Sequence, residues 1–129
     1  MAYNILIVDD SSIVRKVLMR TFEMTEIPVN NFYQAENGKV GLELLKNNWV
    51  DIVFLDINMP VMNGLEFMQA VSKDDEYSGT PIIVVSTEGS KERKELLMEA
   101  GVRAYLRKPV TPEALVETIK NVLGETENV

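Results

Sequence analysis

The sequence predicts an α/β fold, a doubly wound sheet of five parallel strands with helices on both faces. Three observations carry this prediction. Five short apolar runs alternate along the chain with segments in which apolar residues recur at helical spacing. Capping and turn residues separate these segments, and neither an internal repeat nor a linker interrupts them. Strands that alternate with helices form a parallel sheet through right-handed crossovers.

The apolar runs are the predicted strands. The first and third are almost continuously aliphatic or β-branched, as expected for parallel strands that are covered on both faces. The predicted bounds are Tyr3–Val8, Val29–Ala35, Asp51–Leu55, Pro81–Val85 and Arg103–Leu106.

The helices are predicted from capping residues and apolar stripes. Asn63 and Glu66 form a capping box that begins the third helix, and Thr111 with Pro112 begins the fifth. The other boundaries are Pro28 after the first helix, Asn37-Gly38 before the second, and Ser90 and Gly101 around the charged fourth. The side chains predicted to face the core are Ile13, Val14, Val17, Leu18 and Phe22; Gly41, Leu42 and Leu45; Leu65, Met68 and Val71; and Leu115, Val116, Ile119, Val122 and Leu123.

Composition narrows the possible functions. A chain of 129 residues, 46% of them hydrophobic, suits one domain over residues 1–129 with a core from about residue 4 to residue 123. The net charge of −7 disfavours binding to nucleic acid or anionic lipid. The absence of Cys and His excludes disulfides, Cys-based zinc sites and Ser-His-Asp triads. No signal peptide and no apolar stretch of the ~20 residues that span a bilayer is present, so we expect a cytoplasmic location without membrane insertion.

Polar residues follow four of the predicted strands. Asp9 and Asp10 follow the first, Asp56 the third, Ser86 the fourth and Lys108 the fifth. Ligands of open parallel sheets bind beyond the carboxyl ends of the strands. We therefore expect these side chains to lie together at one edge of the sheet.

Each of these residues also has an ordinary structural explanation. Asp9 and Asp10 could cap the first helix, Ser86 could bond to nearby backbone, and Lys108 could belong to a turn. Together, however, three converging carboxylates repel one another, which calls for a cation or altered protonation. Oxygen ligands favour Mg²⁺, with Mn²⁺ as the alternative ion. A carboxylate nucleophile with a metal, an ammonium group and a hydroxyl is typical of phosphoryl transfer.

The chain contains five separated motifs: Val8-Asp9-Asp10, Leu55-Asp56-Ile57-Asn58-Met59-Pro60, Met62-Asn63-Gly64, Val85-Ser86-Thr87 and Lys108-Pro109. Together they resemble the receiver domain of two-component response regulators, of the single-domain chemotaxis (CheY-like) type. The resemblance covers about residues 4 to 123, with the motifs in the expected order and spacing. It implies the strand order 2-1-3-4-5.

The resemblance also implies a metal-dependent phosphoacceptor. In that assignment Asp56 accepts the phosphoryl group from a phosphohistidine or a small acyl phosphate. Asp10, Asp56 and the backbone carbonyl of Asn58 bind Mg²⁺ directly, and Asp9 acts through water. Lys108 pairs with the phosphoryl group, across a peptide bond to Pro109 that is typically cis.

A second set of residues is implied to transmit and reset the signal. Ser86 moves to bond the new phosphoryl oxygen, and Tyr105 then turns inward and remodels the surface of the fourth helix, fifth strand and fifth helix. Asn58 and Glu88 set the rate of dephosphorylation. Without the resemblance, Tyr105 is a half-buried aromatic residue on a strand.

The implied partners are a sensor histidine kinase as phosphodonor and a downstream protein, with the flagellar motor switch favoured and a phosphatase as a further candidate. We expect a monomer that catalyses only its own phosphorylation and dephosphorylation. A phosphorelay intermediate, a phosphate sink, a regulator of another enzyme and a non-signalling binding module stay open as alternatives. Thr87 and Val110 depart from the common pattern, as does Asn63, which replaces the more usual Asp.

Two other classes fit the residues less well. A haloacid-dehalogenase-type phosphatase needs a second Asp as general acid two residues after the nucleophile, where this chain has Asn58. A flavodoxin-like electron carrier needs a phosphate-binding loop after the first strand, where Asp9 and Asp10 would repel a phosphate.

Overall fold

The computed structural model describes residues 2–57, 62–74, 76–77, 79–87 and 91–124. The strands are β1 (Tyr3–Val8), β2 (Val29–Ala35), β3 (Ile52–Leu55), β4 (Ile82–Ser86) and β5 (Ala104–Arg107). The helices are α1 (Ser12–Glu23), α2 (Gly38–Asn47), α3 (Gly64–Ser72), α4 (Lys91–Glu99) and α5 (Pro112–Ile119), which passes into a π-helical turn at Lys120–Gly124.

All strand pairs are parallel, in the order β2-β1-β3-β4-β5. The predicted fold class and strand order are therefore confirmed. The connections alternate strictly between strand and helix, which puts every strand's carboxyl end at the same edge. The bounds of β3, β4 and β5 differ from the prediction by one residue: each strand begins one residue later, and β4 and β5 also end one residue later, at Ser86 and Arg107.

The core consists of two apolar layers, one on each face of the sheet. One layer packs α2, α3 and α4 against the sheet through residues such as Leu45, Phe67 and Leu97. The other packs α1 and α5 through residues such as Phe22 and Leu115. Because side chains alternate along a strand, β1 supplies Leu6 and Val8 to the first layer and Ile5 and Ile7 to the second.

Helix boundaries follow the predicted capping chemistry. The Asn63 side chain accepts from the Glu66 N–H, and the Glu66 carboxylate accepts from the Asn63 N–H, which completes the predicted capping box. Thr111 caps α5, and Gly101 lies after α4 with φ of 109°, a conformation that favours glycine. The predicted cap Ser90 lies outside the described residues.

The predicted inward face of α1 is wrong at two positions. Ile13 and Val17 are 73% and 54% exposed, whereas Leu18 and Phe22 are buried. Leu18 and Phe22 lie on the face that packs against the sheet, whereas Val17, rotated by about 100° from Leu18, lies at the border of that face. The apolar stripe on α1 is wider than the surface that the sheet can cover. In α3, Met68 and Val71 are buried as predicted, Leu65 is only half-buried, and Phe67, which was not among the predicted core residues, is fully buried.

Among the residues that the structure describes, no helix has the length and apolar character needed to cross a bilayer.

Candidate functional site

The carboxyl edge of the sheet brings three acidic side chains together. Carboxylate oxygens of Asp9, Asp10 and Asp56 all lie within 4.8 Å of one another. Asp9 and Asp56 are buried, at 4% and 8% exposure, whereas Asp10 is exposed. Buried carboxylates at this spacing repel one another strongly unless positive charge lies close by.

Lys108 supplies part of that charge. Its Nζ donates to Asp9 Oδ2 at 3.0 Å and lies 3.9 Å from Asp56 Oδ1. Both pairs are shielded from solvent, since the Lys108 side chain is 20% exposed and the Asp9 side chain 6%. The lysine therefore bridges two acidic residues from different strands, and Asp9 is its closer partner.

Backbone bonds between adjacent strands fix these residues in place. The N–H of Asp56 donates to Val8 at 2.9 Å, and the N–H of Lys108 donates to Ser86 at 2.9 Å. The Lys108–Pro109 peptide bond is cis, as the resemblance implied. The positions of the site residues thus follow from the parallel register of the sheet.

The loop after β1 does not cap α1 through its acidic pair. Ser11 is the N-cap, and its hydroxyl accepts from the Val14 N–H at 3.2 Å. Asp9 Oδ1 instead accepts from the Ser11 N–H at 2.9 Å, inside the loop. The ordinary explanation of the acidic pair as helix caps is therefore wrong, and Asp10 is left to face the other carboxylates.

Arg15 is a site residue that the sequence analysis missed. Its Nη1 donates to the backbone carbonyl of Asp9, and its Nε donates to Gln34 Oε1 at 3.1 Å. Long side chains on a helix point back toward its N-terminus, so an arginine four residues after the Ser11 cap could reach this loop. This rule on side-chain direction is the only sequence-based argument that could have predicted the contact of Arg15 with the loop.

The remaining predicted residues lie around this cluster. Ser86 is almost fully buried, at 1% exposure, at the end of β4 beside the Lys108 strand. Tyr105 is half-buried on β5, and Lys94 Nζ lies 6.0 Å from its ring centroid. Asn58 and Glu88 lie outside the described residues.

An apolar cavity of about 40 Å³ lies beneath the acidic cluster. Asp9 and Asp56 line it together with Val14 and Val17 of α1 and with Val110. Val110 is one of the positions that depart from the common receiver pattern. A small side chain there leaves the space between α1 and the start of α5 incompletely filled.

The chemistry of this donor set is restricted. Among the described residues it offers carboxylate oxygens, a hydroxyl and an ammonium group, and the chain has no His or Cys that could supply a nitrogen or sulfur ligand. Oxygen donors of this kind suit hard divalent cations such as Mg²⁺. A buried carboxylate beside such a cluster can act as a nucleophile toward an electrophilic phosphorus.

The comparisons with known proteins agree with the fold and the motifs. A family model described as the response regulator receiver domain matches residues 5–120, and the chain belongs to this family. It is 40% identical over 122 residues to a "Chemotaxis protein CheY homolog" of Campylobacter jejuni, covering 94% of this chain and 92% of that protein. It is 36% identical over 125 residues to the "Chemotaxis protein CheY1" of Helicobacter pylori, covering 96% and 99% of the two chains. The solved structure of chemotaxis protein CheY4 of Vibrio cholerae superposes with a TM-score of 0.83, at 34% identity, over 95% of this chain and all of that one.

Proposed function

We propose that this chain is a phosphorylation-activated switch of a two-component system in which Asp56 accepts a phosphoryl group from a histidine kinase. The observation that carries the proposal is the convergence of Asp56 with Asp9, Asp10 and Lys108 at the carboxyl edge of the sheet. A structural ion pair would need Lys108 and one carboxylate, and it would not explain three carboxylates at this spacing. Membership of the receiver family supports the same assignment.

The acidic cluster would hold Mg²⁺, or Mn²⁺ in its place. The three carboxylates fit such an ion because their oxygens lie within 4.8 Å of one another. When bound, the ion neutralises charge on phosphoryl oxygens. Asp10 and Asp56 are proposed as direct ligands, with the carbonyl of Asn58, and Asp9 as a ligand through water. The engagement of Asp9 by Lys108 supports the indirect role.

The proposed reaction moves a phosphoryl group between two side chains. An Asp56 oxygen forms a bond to phosphorus, while the bond between phosphorus and the kinase's histidine nitrogen breaks and its electron pair returns to the imidazole. Lys108 is 3.9 Å from Asp56 Oδ1, close enough to neutralise a phosphoryl oxygen after a small movement. The Ser86 hydroxyl donates to a second oxygen, since Ser86 ends the adjacent strand.

The exposed apolar residues of α1 support a protein as the phosphodonor. Val17 is 54% exposed and lines the same cavity as Asp56. Ile13, four residues earlier, is 73% exposed on the same side of the helix. A kinase domain that approaches Asp56 would cover these residues and gain free energy from their burial.

We further propose an output in chemotaxis, with the flagellar motor switch as the downstream partner. The support is similarity over nearly the full length to two proteins whose names carry the word chemotaxis. In this proposal Ser86 and Tyr105 carry the signal toward α4, and Asn58 and Glu88 set its lifetime. A phosphorelay, a phosphate sink and control of another enzyme use the same phosphoacceptor and differ only in the partner. A phosphatase partner, a monomeric state and a cytoplasmic location stay predictions.

Intact mass after incubation with acetyl phosphate tests the proposal. We expect wild type to gain one phosphoryl group only when Mg²⁺ is present. Asp56→Asn should gain none, because the nucleophilic carboxylate is gone. Asp74→Asn is the matched control, since it removes a carboxylate from the loop after α3 and should be phosphorylated like wild type.

A cognate histidine kinase replaces acetyl phosphate if the small donor gives no reaction. Equal phosphorylation of Asp56→Asn would refute the assignment of the phosphoacceptor. Partner affinity that is the same with and without phosphodonor would favour the non-signalling binding module.

A further inference from the structure

We infer that Arg15 is a positioning residue for the divalent-cation site, because it fixes the peptide group that joins Asp9 to Asp10. This inference rests on the proposed function for the metal, and it concerns a residue that lies outside the carboxylate cluster itself. The carbonyl to which Arg15 Nη1 donates belongs to the peptide bond between the two acidic residues. Its orientation therefore sets the direction in which both side chains leave the backbone.

Asp9 and Asp10 are held in different ways. The Asp9 carboxylate is bonded by Lys108 Nζ and by the Ser11 N–H. Among the residues that the structure describes, no hydrogen bond or ion pair holds the exposed Asp10 carboxylate. Its place within 4.8 Å of Asp9 and Asp56 oxygens thus depends on its backbone, and the Arg15 bond lies one peptide away.

The guanidinium group connects this loop to the edge of the sheet. Arg15 Nε donates to Gln34 Oε1 at 3.1 Å, and Gln34 lies on β2 one residue before Ala35, whose carbonyl accepts from the Asp9 N–H. The planar guanidinium has donors in a fixed arrangement, so both acceptors are held at once. A lysine ammonium is a single point charge and lacks this fixed geometry.

Positioning and charge predict opposite effects on metal binding. A positive charge near a divalent cation weakens its binding by repulsion, so loss of the charge alone would tighten the site. Loss of the backbone anchor would weaken the site, because the carboxylates would have to be ordered when the ion binds. The direction of the change therefore separates the two roles.

Mn²⁺ titration, followed by the electron paramagnetic resonance signal of the free ion, measures this direction. We expect Arg15→Met to raise the dissociation constant about tenfold, within the range expected for a lost hydrogen bond to a charged donor. Gln34→Val should raise it about threefold, since it leaves every charge in place and removes only the outer anchor. Arg20→Met is the matched control, an exposed arginine of the same helix, and should leave the constant within about twofold.

Tighter Mn²⁺ binding by Arg15→Met, or an unchanged constant in Gln34→Val, would overturn the positioning role. A second measurement does not depend on the metal. Hydrogen exchange of the Ser11 amide, which donates to Asp9 Oδ1 at 2.9 Å, reports the order of the loop in metal-free protein. We expect faster exchange in Arg15→Met and Gln34→Val than in Arg20→Met. Equal protection of the Ser11 amide in all three variants would refute the positioning role of Arg15. Failure of wild type to bind Mn²⁺ would instead refute the proposed metal site, and the exchange measurement would still test Arg15.

Discussion

Strand β3 has an aspartate just outside each end, and the two residues have different surroundings. Asp51, before the strand, accepts from the Asn4 N–H at 2.7 Å and from the Trp49 indole at 3.1 Å. Asp56, after the strand, is buried; its carboxylate lies within 4.8 Å of those of Asp9 and Asp10 and 3.9 Å from Lys108 Nζ. Two neutral donors satisfy Asp51, whereas Asp56 lies among charges brought together from several strands.

The two edges also differ in the shape of their surfaces. The groove at the amino edge, lined by Trp49, Asp51, Tyr77 and Arg103 among others, has a volume of about 820 Å³. The cavity beneath Asp56 has only about 40 Å³. The larger concave surface lacks a buried charge cluster among its described residues, so volume alone does not identify the reactive edge. The convergence of charged side chains at the carboxyl edge is the feature that supports the proposed site there.

The largest difference between the two edges is expected when a basic side chain is removed from each and the free energy of unfolding is compared. Lys108→Ala should lower the free energy of unfolding by about 3 kcal/mol, because it leaves the buried Asp9 carboxylate without its partner. Arg103→Ala, at the exposed amino edge, should change it by less than about 0.5 kcal/mol. Urea denaturation measures both. Mg²⁺ should restore more stability to Lys108→Ala than it adds to wild type, and the proposed metal site is contradicted if it restores none.

The second largest difference is expected between alanine substitutions of one glycine at each edge. A Cβ on Gly64 would lie 2.7 Å from the Ile57 Cα, whereas a Cβ on Gly79 would meet nothing within 4 Å. Gly64→Ala is expected to cost about 2 kcal/mol, since α3 must move away from the segment after Asp56. Gly79→Ala should be within about 0.5 kcal/mol of wild type. Equal melting temperatures for the two variants would show that the contact at Gly64 relaxes freely.

The smallest changes in stability are expected for asparagine substitutions of the two aspartates, and these changes should have opposite signs. Asp51→Asn should destabilise the protein by about 1 kcal/mol, since an amide oxygen cannot replace both carboxylate acceptors. Asp56→Asn should raise the stability of metal-free protein by up to about 1 kcal/mol, because it removes one of three mutually repelling charges. Chemical denaturation in the presence of a chelator measures this difference. Destabilisation by Asp56→Asn would mean that Lys108 and other contacts outweigh the repulsion.

The sequence by itself determined the fold and the chemical character of its reactive edge. Alternating apolar runs and helix caps specify the five β-α units because these signals are local, and parallel topology then places every strand end on one side. Asp9, Asp56 and Lys108 could therefore be assigned to one site without knowledge of any distance. The acceptor role of Asp56 and the metal remain predictions.

Only the tertiary structure decided which residues touch. Lys108 bonds Asp9 more closely than Asp56, across 99 positions of the chain. Arg15 reaches a backbone carbonyl and a second strand, and Ile13 and Val17 stay exposed although their spacing predicted burial. Periodicity defines the faces of a helix, but the packing of that helix on the sheet selects the face that is buried. Side-chain contacts between distant segments arise only when the whole chain is folded, and no local signal encodes them.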